Sequence, residues 1–188
     1  MDPKIWGPTF WKVLFQCCKI ADEQQKSNKN NNVCLMPELI ESLRFSLPCS
    51  ECRTSFAFIV ECLPPQSPYL KWIWKVRNIV NQKLQCESSK CLSFDNFMKK
   101  SKKRFATNSD YRKLLKLICS HYNRFDCHVP KEHIRGVERF MCTLACFLKH
   151  DFEKDKNLKQ LLSVERCKNN MEESGALLKW VSKIYCQT

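Results

Sequence analysis

The chain has 188 residues, 44% of them apolar, with 14 cysteines, three glycines and a formal net charge of +13. That length and apolar share suit one buried core with at most a compact appendage. The scarcity of glycine argues against hairpin-rich β architecture and predicts an all-α chain, and the absence of a Gly-x-Gly-x-x-Gly run excludes a Rossmann-type dinucleotide site.

In chain order, Thr9 to Ala21 reads as a first helix, with Gly7 and Pro8 punctuating its start and Trp11, Leu14, Phe15 and Cys18 forming an apolar stripe. Residues 22–33 are polar and Asn-rich and read as a loop. Pro37 opens a helix through Phe45, and Pro48 precedes another over Cys49 to Cys62. The segment Pro64-Pro65-Gln66-Ser67-Pro68 is a rigid connector into a long amphipathic helix, Tyr69 to Leu84. A short helix from Ser93 to about Arg104 closes an N-terminal module of residues 1–105. Residues 106–188 form a helical C-terminal extension, with helices expected over 110–122, 130–150, 156–168 and 172–185.

The densest basic run is Lys99, Lys100, Lys102, Lys103 and Arg104. Without stacking aromatics or a DNA-binding motif it reads as a solvated helix end, so nucleic acid is not the expected partner. No apolar run approaches the roughly 18 residues that cross a bilayer. The opening residues do not read as a secretory leader, since Asp2 and Lys12 interrupt them. In a reducing compartment, cysteines in such a chain are more often catalytic or metal-binding than structural.

Leu47-Pro48-Cys49-Ser50-Glu51-Cys52-Arg53 is the most informative stretch. Two cysteines at i and i+3 share one face of a helical turn, close enough to join as a disulfide and open again. Pro48 places Cys49 at the helix start, where unpaired amides and the positive end of the dipole stabilise a thiolate, and Arg53 adds positive charge. A Cys-x-x-Cys pair is also half of a zinc site. Its second half is missing: Cys86 and Cys91 are five apart, Cys142 and Cys146 four apart, and His121, Cys127 and His128 fit no zinc spacing. No metal site is therefore expected, although a zinc-stabilised or nucleic-acid-binding helical protein is the alternative. Alternating strands and helices of a thioredoxin fold are not legible, so the pair needs another electron acceptor. In the long helix, Asn78 and Asn81 share a face, which suggests a hydrogen-bonding task there or plain solvent exposure.

Three segments, in order, resemble the Erv/ALR sulfhydryl oxidases, most of all the short versions encoded by large cytoplasmic DNA viruses of the African swine fever virus and poxvirus type. They are Trp6-Gly7-Pro8-Thr9-Phe10-Trp11-Lys12-Val13-Leu14-Phe15, then Leu47 to Arg53, then Trp72 to Leu84, similar to the family's His-Asn-x-Val-Asn-x-x-Leu box. The resemblance spans roughly residues 5–104. It implies an Erv/ALR-like bundle of four to five helices binding FAD, with the disulfide against the isoalloxazine ring. It also implies that Cys49 exchanges with substrate and Cys52 faces the flavin. Gly7, Trp11, Phe15, Trp74, Arg77, Asn78, Asn81 and Lys83 are the implied cofactor contacts: Trp11 and Trp74 against the rings, Asn78, Asn81 and Lys83 at the ribose and phosphates. Implied partners are dithiol proteins or a thioredoxin-like relay protein, molecular oxygen as final acceptor, and a second copy in a homodimer. The implied setting is the host cytoplasm and virion for the viral type, or an oxidising organelle such as the mitochondrial intermembrane space for the cellular type.

The sequence departs from the family pattern in places. Phe15 stands where the opening helix usually carries His, and Arg77 replaces the His of the Asn box; arginine can still stack on a base and pair with phosphate. Trp74 stands where cellular enzymes carry a cysteine, so their structural disulfide in that helix is absent, and Cys86 and Cys91 are either a local replacement or free thiols. No implied cofactor residue lies beyond Leu84, so the extension is expected to be dispensable for flavin binding.

Overall fold

The structure is a computed structural model that describes residues 2–27, 35–84, 93–100, 105–122 and 130–148. Within them the chain is all-helical: α1 (Pro3–Lys26), α2 (Met36–Ser46), α3 (Ser50–Cys62), α4 (Tyr69–Lys83), α5 (Phe94–Lys100), α6 (Asn108–Tyr122) and α7 (Lys131–Leu148). The first five fall within residues 1–105, and α6 and α7 follow them. The helices expected over 156–168 and 172–185 lie outside the described residues, as do Cys86, Cys91, Cys127, His128, Cys167 and Cys186.

Helix α1 is the spine and begins six residues earlier than the sequence suggests, so Gly7 and Pro8 lie inside it rather than at its start. Asp2 caps it, accepting the Lys4 amide at 2.8 Å, and Pro3 occupies the first turn, where no amide donor is needed. Pro8 is tolerated because it falls on the solvent side, with Lys4 and Pro8 both exposed, so the Lys4 carbonyl that loses its helical donor faces water. The opposite stripe, Phe10, Val13, Leu14, Cys17 and Ala21, is buried against α4, α6 and α7. Each such large side chain contributes about 1.5–3 kcal/mol on burial.

Two long-range hydrogen bonds set the angle between α1 and α4. The Asp22 carboxylate in α1 accepts the amides of Tyr69 at 2.7 Å and Leu70 at 2.9 Å, the first two residues of α4. Pro68, the residue before them, offers no side-chain cap of its own, so the cap comes from 47 residues away. The Trp72 indole donates to the Leu63 carbonyl at the end of α3 at 2.9 Å.

Helices α6 and α7 pack into the same core as the N-terminal helices. Tyr111, Leu114, Ile118, Phe140 and Phe147 share one apolar cluster with Phe10, Met36 and Leu43. The α2–α7 contact is close because Gly136 of α7 has no side chain; a Cβ there would run into the Phe45 ring. Lys12 and Asp110 join α1 to α6 at 2.9 Å. The Thr107 amide and hydroxyl also donate to the Asp110 carboxylate, each at 2.8 Å.

Candidate redox and cofactor site

The site is built where α3 begins. Cys49 is the N-cap of α3, in extended conformation (φ −146°, ψ 120°), and its Sγ accepts the Cys52 amide at 3.2 Å. A sulfur thereby takes the place that an Asp or Ser oxygen fills in an ordinary cap, with the unpaired amides of the first turn aimed at it. Cys49 and Cys52 are joined as a disulfide across 5.1 Å between their Cα atoms, inside the usual bridging range. Both cysteines are half-buried. Arg53 donates to the Leu47 carbonyl at 2.8 Å and so holds the turn that leads into Cys49.

Above the disulfide lies an apolar cavity of about 240 Å³. Its walls come from three elements: Trp6, Gly7, Phe10, Trp11 and Leu14 of α1; Cys52, Ser55, Phe56 and Ile59 of α3, with Cys49 before it; and Val80 and Lys83 of α4, with Leu84. The structure thus brings Gly7, Trp11, Cys49, Cys52 and Lys83 to one space. Gly7 is buried, and a Cβ added to it would meet nothing within 4 Å. Lys83 donates to Ser55 at 2.5 Å, closing the α3–α4 side.

The remaining candidates lie off the cavity wall, on the α1–α4–α5 side. The Phe15 ring is 6.2 Å from that of Trp11 and 4.9 Å from that of Phe97. The Arg77 guanidinium sits 5.4 Å above the Phe15 ring, a cation–π contact that ties the two replaced histidine positions together. Burial lowers the Arg77 pKa from its ordinary value, though arginine stays charged at neutral pH. Trp74 makes an edge contact with Phe94 of α5 at 5.6 Å. Asn78 and Asn81 are half-buried one turn apart on α4. A continuous strip therefore runs from the disulfide past Trp11 to Phe15 and Arg77.

Several wall residues were not singled out from sequence. Trp6, Phe10, Phe56 and Ile59 carry only a generic apolar signal, and what makes them part of a site is the α1–α3 crossing. The other described cysteines sit in different surroundings. Cys17, Cys18 and Cys119 are buried. Burial, followed by the nearby Cys17 and Asp22 charges, raises the Cys18 thiol well above its ordinary range, which makes it a poor nucleophile. Among the described residues, no group of three or more His, Cys, Asp or Glu is gathered as a metal site. No described helix is long and apolar enough to cross a membrane.

No curated protein and no solved structure matches the chain. A family model does: that of the Erv1 / Alr family, over residues 8–104. This span contains the Cys49–Cys52 pair, all of α4 and the α1 residues of the cavity from Phe10 onward, and it covers just over half of the 188 residues. The chain belongs to the Erv1/Alr family.

Proposed function

We propose that this protein is an FAD-dependent thiol oxidase that forms disulfide bonds in protein substrates, with Cys49 and Cys52 as its redox pair. Membership supports the class, since Erv1/Alr proteins are generally FAD-linked thiol oxidases. The observation that carries the reading for this chain is the apolar cavity walled by the disulfide itself. Its residues suit a flavin: Trp11 is an aromatic face, and Gly7 leaves open the space a side chain would take. Its volume of about 240 Å³ lies just under the roughly 300–1,000 Å³ of small-molecule sites. That suits a fused ring system rather than a whole dinucleotide. The ribose and phosphates would then run along α4, where Arg77, Asn78, Asn81 and Lys83 offer donors and positive charge.

The chain's own part in the reaction is thiol–disulfide exchange. A substrate thiolate attacks Cys49 Sγ, the Cys49–Cys52 bond breaks, and Cys52 leaves as a thiolate. The substrate's second thiolate then attacks its own sulfur in the mixed disulfide. Cys49 is released as a thiolate, and the substrate departs with its new disulfide. The Cys52 amide and the first turn of α3 stabilise the negative charge on Cys49 in that step. FAD, which Gly7, Trp11 and the α4 residues Arg77, Asn78, Asn81 and Lys83 would hold, would supply the two-electron acceptor for the Cys49–Cys52 dithiol, with oxygen as the final oxidant and, with the two thiol protons, hydrogen peroxide as the product. The partners proposed are dithiol proteins or a thioredoxin-like relay protein.

Purified protein supplied with FAD is expected to turn yellow and, with dithiothreitol, to consume oxygen and release peroxide. Cys49→Ser and Cys52→Ser should each abolish turnover while FAD stays bound. A correctly folded protein that takes up no FAD and oxidises no thiol would overturn the proposal.

A further inference from the structure

The turn that delivers Cys49 to α3 is held from outside the Erv1/Alr span as well as from within it. Helix α2 ends at Ser46, and its last carbonyls have no helical donors. The Phe45 carbonyl in its last turn and the Leu47 carbonyl just beyond it flank the turn. The Leu47 carbonyl is taken by Arg53 at 2.8 Å. The Phe45 carbonyl is taken by the hydroxyl of Tyr122, the last residue of α6. That hydroxyl lies 3.1 Å from Nε2 of His133 in α7, and the His133 ring packs edge-on against Phe45.

Arg53 faces both of these groups. Burial lifts the Tyr122 phenol to about 12, against the pull of the Arg53 charge and its hydrogen bond. Burial and the same Arg53 charge lower the His133 pKa, against a bond to the Phe45 carbonyl. A positive charge on His133 is thus disfavoured by both its burial and the nearby Arg53. The Arg53 guanidinium, next to Cys52 in the chain, is held by the Leu47 carbonyl and lies within the electrostatic reach of the Tyr122 hydroxyl.

We propose that Tyr122 and His133 are positioning residues for the redox pair: they fix Arg53, and Arg53 holds the turn in which Cys49 caps α3. Helices α6 and α7 would in this way tune the thiol chemistry without touching the sulfurs. When the disulfide is reduced, a correctly placed cap stabilises the Cys49 thiolate, and stabilising the reduced form makes the disulfide more oxidising. Loosening the turn should raise the Cys49 pKa and make the Cys49–Cys52 disulfide harder to reduce. This inference rests on Cys49 and Cys52 being the redox pair.

Tyr122→Phe keeps the ring in the core and removes only the hydroxyl. In pre-reduced, folded full-length protein, Cys49 alkylation at pH 7, followed on its own peptide by mass spectrometry, should slow by about threefold or more. The oxidised-to-reduced ratio of the pair in a glutathione buffer should rise by a similar factor. Arg53→Gln should move both readouts the same way, and the double variant should move them no further than Arg53→Gln alone. His133→Gln, at a half-buried position, gives a second test in the same direction if Tyr122→Phe fails to fold. Tyr111→Phe, which removes a hydroxyl at the other end of α6, should leave both readouts unchanged. Wild-type values in Tyr122→Phe and His133→Gln, or fully additive effects in the double variant, would overturn the positioning role while leaving the thiol-oxidase proposal intact. Failure of Cys49 and Cys52 to interconvert in the wild-type protein would instead remove both.

Discussion

Gly7 shows how a missing side chain can shape a site. Glycine inside a helix costs about 0.5–1 kcal/mol relative to alanine, yet here it is buried and faces open space in the cavity. Gly7→Ala should therefore raise the melting temperature by a few degrees at most. Gly7→Phe should keep the fold but fill the cavity, with FAD content after purification down at least about tenfold, equivalent to roughly 1.4 kcal/mol. Full flavin occupancy in a folded Gly7→Phe protein would place the ring elsewhere. Along α4, Asn78→Ala and Asn81→Ala should each weaken FAD binding by about 1–3 kcal/mol if the amides meet polar cofactor atoms. Isothermal titration of the apoprotein with FAD measures this, and unchanged affinity in both variants would remove the pair from the site.

Among the elements, α4 depends most on a distant partner. Its first amides are satisfied by Asp22 of α1, so the cap both starts the helix and aligns it with the spine. Asp22→Ala should cost about 1–2 kcal/mol, read as a lower denaturation midpoint in urea at constant slope. Because Val80 and Lys83 at the far end of α4 line the cavity, flavin affinity should fall with it. An Asp22→Ala protein of wild-type stability would show that water replaces the cap without loss.

At the scale of the whole molecule, the family-like span and the described helices α6 and α7 share one core. The cofactor candidates all precede Leu84, yet α1 and α2 rely on α6 and α7 for cover. Val137, Phe140, Met141, Leu144 and Phe147 of α7 are all buried. At about 1.5–3 kcal/mol each, their loss would rival the roughly 5–15 kcal/mol that keeps a typical domain folded. The placement of the flavin residues alone suggests that the extension is dispensable, but the shared core reverses that expectation: a chain ending at Arg104 is expected to be largely unfolded or aggregated by circular dichroism and sedimentation. A monomeric, cooperatively folding truncation would show that the bundle is self-sufficient.

What the sequence by itself determined was local. Apolar periodicity and proline placement located α4 to within a residue and put Cys49 at the mouth of α3, because helix signals act over three or four positions. The i, i+3 spacing placed the two sulfurs within bridging distance before any packing was known. Gly7-Pro8 reads as a boundary in isolation, yet Asp2, Pro3 and the exposure of Pro8 start α1 six residues before Thr9. Only the tertiary structure decided that Gly7 opens onto a cavity and that Asp22 caps a helix 47 residues away. It likewise brought Tyr122 to the Phe45 carbonyl, across 77 residues. Such contacts depend on how helix faces cross, and the burial that drives the crossing is non-directional. A chain read one turn at a time therefore shows which faces must be covered, and only the packed molecule shows what covers them.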